Sequence, residues 1–267
     1  MKNNIYMPTK HKIVSINKLQ DIEWLFEVEY KDVEKCSPGQ FIQISIPMVG
    51  EAPISITKIN LKKKTIEFLI RKVGIVTDKL FELSIGDYFY LRGPFGTTFE
   101  LDKYKGKDLI VISGGSGIAP VRPIIHNFVG NKSFHLISGF RDNKGILFID
   151  EIRKWQKSKS NIIITLDKNV DKDKSMKEGL VTKYIKDTLK KVNKDKLVVV
   201  VVGPPIMMKF ACLELSKHGI KDEDIIVSFE RNMSCAVGKC GHCKIDETYV
   251  CLEGPVFSYT KGKKLLD

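Results

Sequence analysis

Hydrophobic and polar positions follow one pattern in the first third of the chain and a different one in the rest. Between residues 13 and 92, short apolar or alternating segments are separated by turn-forming residues such as Pro38–Gly39 and Gly86–Asp87. The predicted strands are Trp24–Tyr30, Phe41–Ile46, Ile54–Thr57, Thr65–Ile70 and Tyr88–Leu91. Short strands at close spacing favour an antiparallel barrel or sandwich.

From about Lys107 onward, continuous apolar strands alternate with segments of helical periodicity. The predicted strands are Leu109–Ser113, Phe134–Ser138, Ile162–Leu166, Leu197–Val202 and Ile225–Ser228, and the predicted helices are Pro120–Val129, Asp150–Lys157, Thr182–Lys191 and Pro205–His218. Apolar strands that alternate with helices are typical of a buried parallel sheet. We therefore predict an α+β multidomain chain, with an N-terminal antiparallel β-barrel over residues 1–103, a central α/β parallel-sheet domain over 104–228 and a small C-terminal module over 229–267.

The formal net charge of +12 arises from 44 basic and 32 acidic residues, and the basic residues are mainly dispersed lysines. No basic stretch is interleaved with aromatic residues, so we expect no binding of nucleic acid. The charge fits either an ordinary solvated surface or one that docks an acidic redox partner. The longest strongly apolar run, Leu197–Val202, is too short to cross a membrane, and the N-terminus lacks the apolar stretch of a signal peptide. We expect a cytoplasmic protein without a membrane span.

Two turns that contain glycine or proline each lie between a predicted buried strand and a predicted helix. The candidate nucleotide-binding residues are Gly114, Gly115, Ser116, Gly117, Ile118 and Pro120 in the first turn, and Gly203, Pro204 and Met207 in the second. Glycine lets backbone amides approach a pyrophosphate, and a helix N-terminus favours its negative charge. Either turn alone also suits a purely structural connection. Because the carboxyl ends of parallel strands share one edge of a sheet, the two together favour a dinucleotide site.

Four of the six cysteines crowd into one short segment near the C-terminus. Cys235, Cys240, Cys243 and Cys251 have the spacing C-x4-C-x2-C-x7-C, whose first two gaps match those of plant-type 2Fe-2S sites. Four cysteines also suit a structural zinc ion, so both kinds of metal site stay open on spacing alone. His242 lies inside the segment, but with four thiolates available we do not expect it to be a ligand.

The segments Arg92–Gly96, Gly114–Pro120 and Gly203–Pro205 resemble the ferredoxin-NADP reductase superfamily over nearly the whole chain. The resemblance implies FAD on the barrel and NADH or NADPH on the parallel-sheet domain, and it implies no catalytic side chain, because hydride transfer needs none. The residues that would hold the flavin are Pro53, Ile54, Ser55, Ile70, Arg71, Gly74, Val76 and Thr77. The superfamily's Arg-x-Tyr-Ser signature falls on Ala52–Ser55, where the arginine and the tyrosine are missing. Arg71 is therefore the expected replacement for the phosphate contact.

The choice between NADH and NADPH is expected to depend on the residues that follow the predicted strand Phe134–Ser138. Asp142 would favour an unphosphorylated ribose, whereas Arg141 would favour a ribose phosphate. Both residues are equally well explained as solvated loop charges, so both donors stay open.

A C-terminal cysteine segment within this superfamily resembles two branches. One is the electron-transfer subunit of dihydroorotate dehydrogenase, and the other is the NAD(P)H-oxidising subunit of anaerobic sulfite reductase with its sulfhydrogenase relatives. The segments Glu51–Ile56, Arg71–Gly74 and Glu230–Met233 and the short gap before Cys251 look most like the sulfite reductase branch.

The sulfite reductase resemblance implies electron transfer from NAD(P)H through FAD and a 2Fe-2S cluster to a siroheme-type reductase subunit. It also implies a ferredoxin-like iron-sulfur subunit as a further partner. A dihydroorotate dehydrogenase or sulfhydrogenase partner is the alternative. A zinc-stabilised nucleotide-binding module without redox activity is the alternative from another class.

Overall fold

The computed structural model describes residues 4–265. The chain folds into two compact units, and each unit takes two separate stretches of the chain. The barrel unit contains residues 4–99 and Glu230–Pro255, and the nucleotide unit contains Glu100–Phe229 and residues 256–265. The C-terminal part of the chain is thus divided between the two units. The three-domain division at residues 103 and 228 stays a prediction.

The barrel unit is built on a closed six-stranded barrel in the order β1-β2-β5-β4-β3-β6. Its strands are β1 (Thr9–Gln20), β2 (Glu23–Glu29), β3 (Phe41–Ile46), β4 (Gly50–Asn60), β5 (Thr65–Arg71) and β6 (Tyr88–Phe95), and the helix α1 (Ile75–Leu80) follows β5. Neighbouring strands pair antiparallel, as predicted. Phe26, Phe68 and Phe89 are completely buried in its core.

The sequence did not predict β1 as a strand. Its 12 residues are mostly polar, and only Ile13 is fully buried. The strand is held instead by backbone pairing, with β2 on one side and β6 on the other. Because these hydrogen bonds come from distant parts of the chain, a local hydrophobic pattern does not reveal them.

The nucleotide unit contains a seven-stranded sheet in the order β10-β9-β8-β7-β11-β12-β15. In chain order its elements are α2 (Leu101–Tyr104), β7 (Asp108–Gly114), α3 (Ile118–Phe128), β8 (Phe134–Asp142), α4 (Ile149–Gln156), β9 (Asn161–Lys168), β10 (Lys177–Glu178), α5 (Ile185–Leu189), β11 (Leu197–Val202), α6 (Pro205–Lys217) and β12 (Ile225–Ser228). All pairs are parallel except β12 with the last strand, which is antiparallel. The predicted α/β fold is therefore confirmed.

The C-terminal stretch adds short elements to both units. They are β13 (Lys244–Ile245), β14 (Thr248–Tyr249), α7 (Val250–Glu253), β15 (Val256–Ser258) and α8 (Tyr259–Gly262). We call residues 230–255 the cysteine segment. Two-residue and three-residue strands carry too few positions for any periodicity, which is why β10 and β15 were not predicted. Within the described residues, no helix combines the length and the apolarity that a membrane span requires.

A buried ion pair joins α3 to α4. Arg122 is 3% exposed, and its Nε donates to Glu151 Oε2 at 3.0 Å while its Nη2 contacts Oε1 of the same carboxylate. His126 Nε2 lies 2.7 Å from Glu151 Oε2, and the Arg122 guanidinium lies over the Phe148 ring. Burial raises the pKa of Glu151, but hydrogen bonds with His126 and Arg122 outweigh it and lower that pKa to about 2.

Replacing Glu151 with Gln is expected to destabilise the nucleotide unit by about 2 kcal/mol at pH 7, since a charge-assisted bidentate bond is lost. Because the folded-state pKa of Glu151 lies below the unfolded value, its contribution is complete above pH 4.5 and declines as the pH falls toward about 2. The difference between wild type and variant should therefore shrink at pH 3.

Urea unfolding measures this effect. A Trp24→Phe background leaves Trp155, in α4, as the single tryptophan, since the chain has two. Asp187→Asn is the control, because it removes a carboxylate from an exposed ion pair with Lys190. Equal stability of Glu151→Gln and Asp187→Asn at pH 7 would contradict the role of the buried pair.

Candidate functional site

A cavity of about 660 Å³ opens in the nucleotide unit where the sheet strands end. Its walls come from the carboxyl ends of β7, β8 and β9 and from the N-terminal part of α6. Of the predicted nucleotide residues, it is lined by Gly114, Gly115, Pro204 and Met207. The two predicted turns thus meet at one cavity, at the sheet edge where open α/β folds bind their ligands.

The remaining predicted residues of these turns shape the cavity rather than line it. Ile118 and Pro120 are buried in the first turn of α3, and Ser116 is half-buried in the turn before them. A Cβ on Gly117 would lie 2.5 Å from the Val202 carbonyl oxygen, and a Cβ on Gly203 would lie 3.0 Å from the Gly114 amide nitrogen. These glycines therefore permit a close approach of the two turns that no other residue would allow.

Further residues line the cavity that the sequence did not single out. They are Gly139, Phe140, Thr165, Asp167, Leu180, Val181, Thr182, Ile206, Phe210 and Glu214. Several follow strands that were correctly predicted, so their place at the carboxyl edge of the sheet was the available signal. Leu180, Ile206 and Phe210 are apolar yet exposed, which suits contact with the flat face of a base.

Arg141 and Asp142 occupy different environments. Arg141 lines the cavity together with Asp167 and Glu214. Asp142 accepts a hydrogen bond from the Gly145 amide at 2.9 Å and so caps the short turn after β8. The backbone bond gives Asp142 a structural role, and Arg141 is the member of the pair that faces a ligand.

The predicted flavin residues lie on β4, β5 and α1 of the barrel unit. Pro53, Ile54 and Ser55 are half-buried on β4. Ile70 is completely buried and belongs to the hydrophobic core of the barrel. Arg71 ends β5 with 55% of its side chain exposed. Its nearest ionic partner is Glu23, at 3.9 Å, which is too long for a hydrogen bond.

The loop after Arg71 is held by Thr77. Its hydroxyl oxygen accepts hydrogen bonds from the amides of Val73 and Gly74 at 2.9 and 3.0 Å, and the hydroxyl donates to the Gly74 carbonyl. Val73 and Ile75, which follow Arg71 closely in the chain, remain 73% and 74% exposed. An apolar surface next to an available cation fits a ligand with a flat ring system and a phosphate, so the chemistry of these residues fits a flavin nucleotide.

The four clustered cysteines come together in the cysteine segment with backbone amides directed at their sulfur atoms. Cys235 Sγ accepts from the amides of Val237, Lys239 and Cys240 at 3.4–3.5 Å. Although burial raises the pKa of Cys235, these amides lower it to about 6. Thiolates that bind iron-sulfur clusters are stabilised by such amide donors.

The cysteines form two pairs. Cys235 interacts with Cys240 on the exposed side, and Cys243 interacts with Cys251 on the buried side. In the second pair, the Gly238 amide donates to Cys251 Sγ at 3.2 Å, and the Cys251 amide donates to Cys243 Sγ at 3.4 Å. Burial, followed by the neighbouring Cys243, raises the pKa of Cys251 to about 12. Across residues 4–265, no three potential ligand side chains are grouped around one point as a single metal ion requires.

Comparison with known proteins agrees with this arrangement. Residues 111–213 match the family described as oxidoreductase NAD-binding domain, and residues 230–261 match the iron-sulfur cluster binding domain of dihydroorotate dehydrogenase B. The chain is 33% identical, over 96% of its length, to the gamma subunit of sulfhydrogenase 1 from Pyrococcus furiosus, of which 92% is covered. The chain belongs to this family of ferredoxin-NADP reductase-like electron-transfer subunits with a C-terminal iron-sulfur domain.

A second relative of the family is the probable electron-transfer subunit of dihydroorotate dehydrogenase B from Pyrococcus furiosus, which is 36% identical over 86% of this chain and 82% of that protein. The fold is also similar to the solved NADH-dependent reduced ferredoxin-NADP oxidoreductase, with a TM-score of 0.78 and 23% identity over 97% of this chain and 90% of that chain. The chain is thus an oxidoreductase subunit with an NAD-binding domain and an iron-sulfur cluster binding domain.

The expected sulfite reductase branch receives no support from these relatives, which are subunits of sulfhydrogenase and dihydroorotate dehydrogenase. The prediction of that branch rested on segments of four to six residues and on one cysteine gap. Such short segments carry too little information to separate branches that share a fold, and the alignments over 272 and 232 residues are with sulfhydrogenase and dihydroorotate dehydrogenase subunits. The ferredoxin-NADP reductase-like fold and the iron-sulfur domain that the sequence predicted are confirmed.

Replacing Gly117 with Ala is expected to destabilise the nucleotide unit by about 1–3 kcal/mol and to weaken binding of NADH, because the Val202 carbonyl cannot move away from the added methyl group. Gly145→Ala is the matched control, since the nearest atom to its Cβ is Asp142 Oδ1 at 3.5 Å. Thermal unfolding and calorimetric titration with NADH measure both effects. If the two variants behave alike, the close approach at Gly117 does not limit this site.

Proposed function

We propose that this chain takes electrons from NADH or NADPH and delivers them, one at a time, to the catalytic subunit of a sulfhydrogenase-type complex. The observation that carries the proposal is the meeting of four cysteine thiols and their amide donors in the same unit as the candidate flavin surface. When bound, a flavin accepts a hydride and an iron-sulfur cluster carries single electrons. The protein's own part is to bind, orient and shield these groups.

The nucleotide cavity would hold the dinucleotide through its two turns. Gly114 and Gly115 let the backbone approach a pyrophosphate, and the N-terminus of α6, which lies at the same cavity, favours its negative charge. Arg141 would contact the ribose or its phosphate. Orientation of the nicotinamide needs no proton transfer from a side chain, which agrees with the expectation of no catalytic acid or base.

The barrel unit would hold FAD along β4 and the loop before α1. Pro53, Ile54 and Ser55 would support the ring system, Arg71 would pair with the phosphate, and the loop that Thr77 secures would cover the nucleotide. The exposed Val73 and Ile75 support this assignment, because both would lose water contact beneath a bound flavin.

Replacing Arg71 with Ala is expected to weaken flavin affinity about tenfold or more, since a charge-assisted bond to phosphate contributes about 1.5–3 kcal/mol. Lys72→Ala is the control, because it removes an equal charge from the next residue. Flavin fluorescence during titration of the flavin-free protein measures both affinities. An equal loss in the two variants would mean that only the general charge matters and that Arg71 does not contact the phosphate.

The pairing of the cysteines favours a 2Fe-2S cluster over zinc. A single tetrahedral zinc ion needs four sulfur atoms around one point. Two neighbouring pairs, with Cys243 and Cys251 buried and Cys235 and Cys240 nearer the surface, suit two metal ions that share bridging atoms. The amide donors to sulfur add to this preference, because they stabilise the negative charge of a thiolate-bound cluster.

Protein purified without oxygen is expected to show flavin and iron-sulfur absorption and about two irons per chain. Cys243→Ser should abolish the iron signal, whereas Cys36→Ala, which removes a buried cysteine outside the cysteine segment, should keep it. The measurements are visible spectroscopy and iron analysis. A colourless protein that contains zinc would overturn the redox function and support the alternative of a structural zinc module.

The partner subunit is tested by reconstitution. The isolated chain should oxidise NADH with artificial acceptors, and it should not reduce sulfite, since that reaction needs a siroheme centre and the sequence offers no separate site for one. Adding the catalytic subunit of a sulfhydrogenase should produce NADH-linked hydrogen turnover. Turnover with a dihydroorotate dehydrogenase or siroheme subunit alone would reassign the partner and would leave the electron-transfer role intact.

A further inference from the structure

One end of the cysteine segment is attached to the barrel through a buried arginine. Arg92, on β6, is 7% exposed. Its Nη1 donates to the Cys235 carbonyl at 2.7 Å, and its Nη2 donates to the Ser234 carbonyl. Gln43, on β3, donates from Nε2 to the Met233 carbonyl at 3.1 Å. The backbone of the first cysteine ligand is therefore held by side chains of two barrel strands.

The other end of the cysteine segment is attached just after β6. The Thr97 amide donates to the Gly254 carbonyl at 2.7 Å. A Cβ on Gly96 would lie 2.6 Å from Pro255 Cδ and 2.7 Å from the Gly254 oxygen, so only glycine permits this contact. All four clustered cysteines lie between these two attachments. Arg92 thus holds one end of the cysteine segment, and Gly96 with the Thr97 amide that follows it holds the other. The sequence singled out Arg92–Gly96.

The same guanidinium also holds the strand that carries the candidate flavin residues. Arg92 Nε donates to both carboxylate oxygens of Glu51 at 2.9–3.0 Å, and Nη2 makes a further bond to Oε2. Glu51 lies on β4, two residues before Pro53. In the barrel register, Gln43 pairs with Pro53 on one side and with Arg92 on the other. Arg92 therefore contacts both β4, which carries the candidate flavin residues, and the backbone of Cys235.

We propose that Arg92, together with Glu51 and Gln43, is a positioning residue. It holds the cysteine segment at a fixed position relative to the flavin, so that electrons can pass from the flavin to the cluster. The inference rests on the proposed function, since it assumes both groups. Arginine suits this task because its planar fork contacts a carboxylate and two carbonyls at once, which the single ammonium of lysine cannot do. A buried guanidinium without these acceptors would carry an uncompensated charge, so the loop and the arginine require each other.

The test compares Arg92→Met and Arg92→Lys with Arg231→Met, which removes an exposed arginine from the same segment. Stopped-flow absorption separates flavin reduction by NADH from the later reduction of the cluster. Arg92→Met should keep the first rate within about twofold and slow the second about tenfold or more, since small displacements of reacting groups carry such costs. Its reduced cluster should show an altered electron paramagnetic resonance spectrum. Arg92→Lys should not restore either property, and Arg231→Met should match wild type.

Hydrogen exchange in protein stripped of iron gives a readout that does not depend on the cluster. The amides of residues 233–238 should exchange faster in Arg92→Met than in wild type, while those of β2 and β5 keep their protection. Wild-type exchange together with a wild-type spectrum in Arg92→Met would overturn the proposal. If Arg92→Met does not fold, Gln43→Leu, which removes the bonds to the Met233 and Ser234 carbonyls, should give the same changes to a smaller extent, and their absence would equally overturn it.

The outcomes distinguish this proposal from the proposed function. Wild-type protein without an iron-sulfur signal would contradict the proposed function. Faster amide hydrogen exchange in the iron-free Arg92→Met variant would still support the attachment of the cysteine segment by Arg92. A wild-type signal with unchanged electron transfer in Arg92→Met would preserve the function and exclude the positioning role.

Discussion

Closure of the barrel through β6 is the constraint on which the sites of the barrel unit depend. Strand β6 pairs with β1 and with β3, so a residue late in the barrel is brought beside residues from its beginning. This places Arg92 next to Gln43, which in turn pairs with Pro53. Because barrel strands have a fixed register, these neighbours cannot shift singly. The cysteine segment is attached to this framework at both of its ends.

The buried guanidinium makes that framework polar at its centre. Burying a charge is costly unless it is paired and hydrogen-bonded, and Arg92 pairs with Glu51 and donates to the Ser234 and Cys235 carbonyls. The cysteine segment therefore contributes acceptors that the barrel needs. The barrel in turn supplies a fixed base for a segment whose own strands are only two residues long.

In the nucleotide unit, backbone geometry rather than a buried side chain determines the shape of the candidate site. Parallel strands end at a common edge, and helices begin there with the positive end of their dipole. Glycines at positions 117 and 203 let the two turns approach each other, and their neighbours Val202 and Gly114 leave no room for larger residues. The Arg122–Glu151 pair holds α3, which starts at this edge, against α4. The shape of this edge therefore depends more on the close approach of the two backbone turns than on charged side chains.

Local information in the sequence determined the two kinds of sheet, the glycine turns, the cysteine group and the superfamily, because periodicity, turn residues and ligand spacing are properties of neighbouring positions. Tertiary structure alone decided the contacts between distant positions. It made β1 a strand through pairing on both sides, assigned Asp142 to a backbone cap and Arg141 to the cavity, and gathered Asp167, Phe210 and Glu214 around that cavity. It also joined Arg92 to Cys235, which lie 143 residues apart. A sequence pattern does not reveal such contacts, because barrel closure and strand register depend on the whole chain at once.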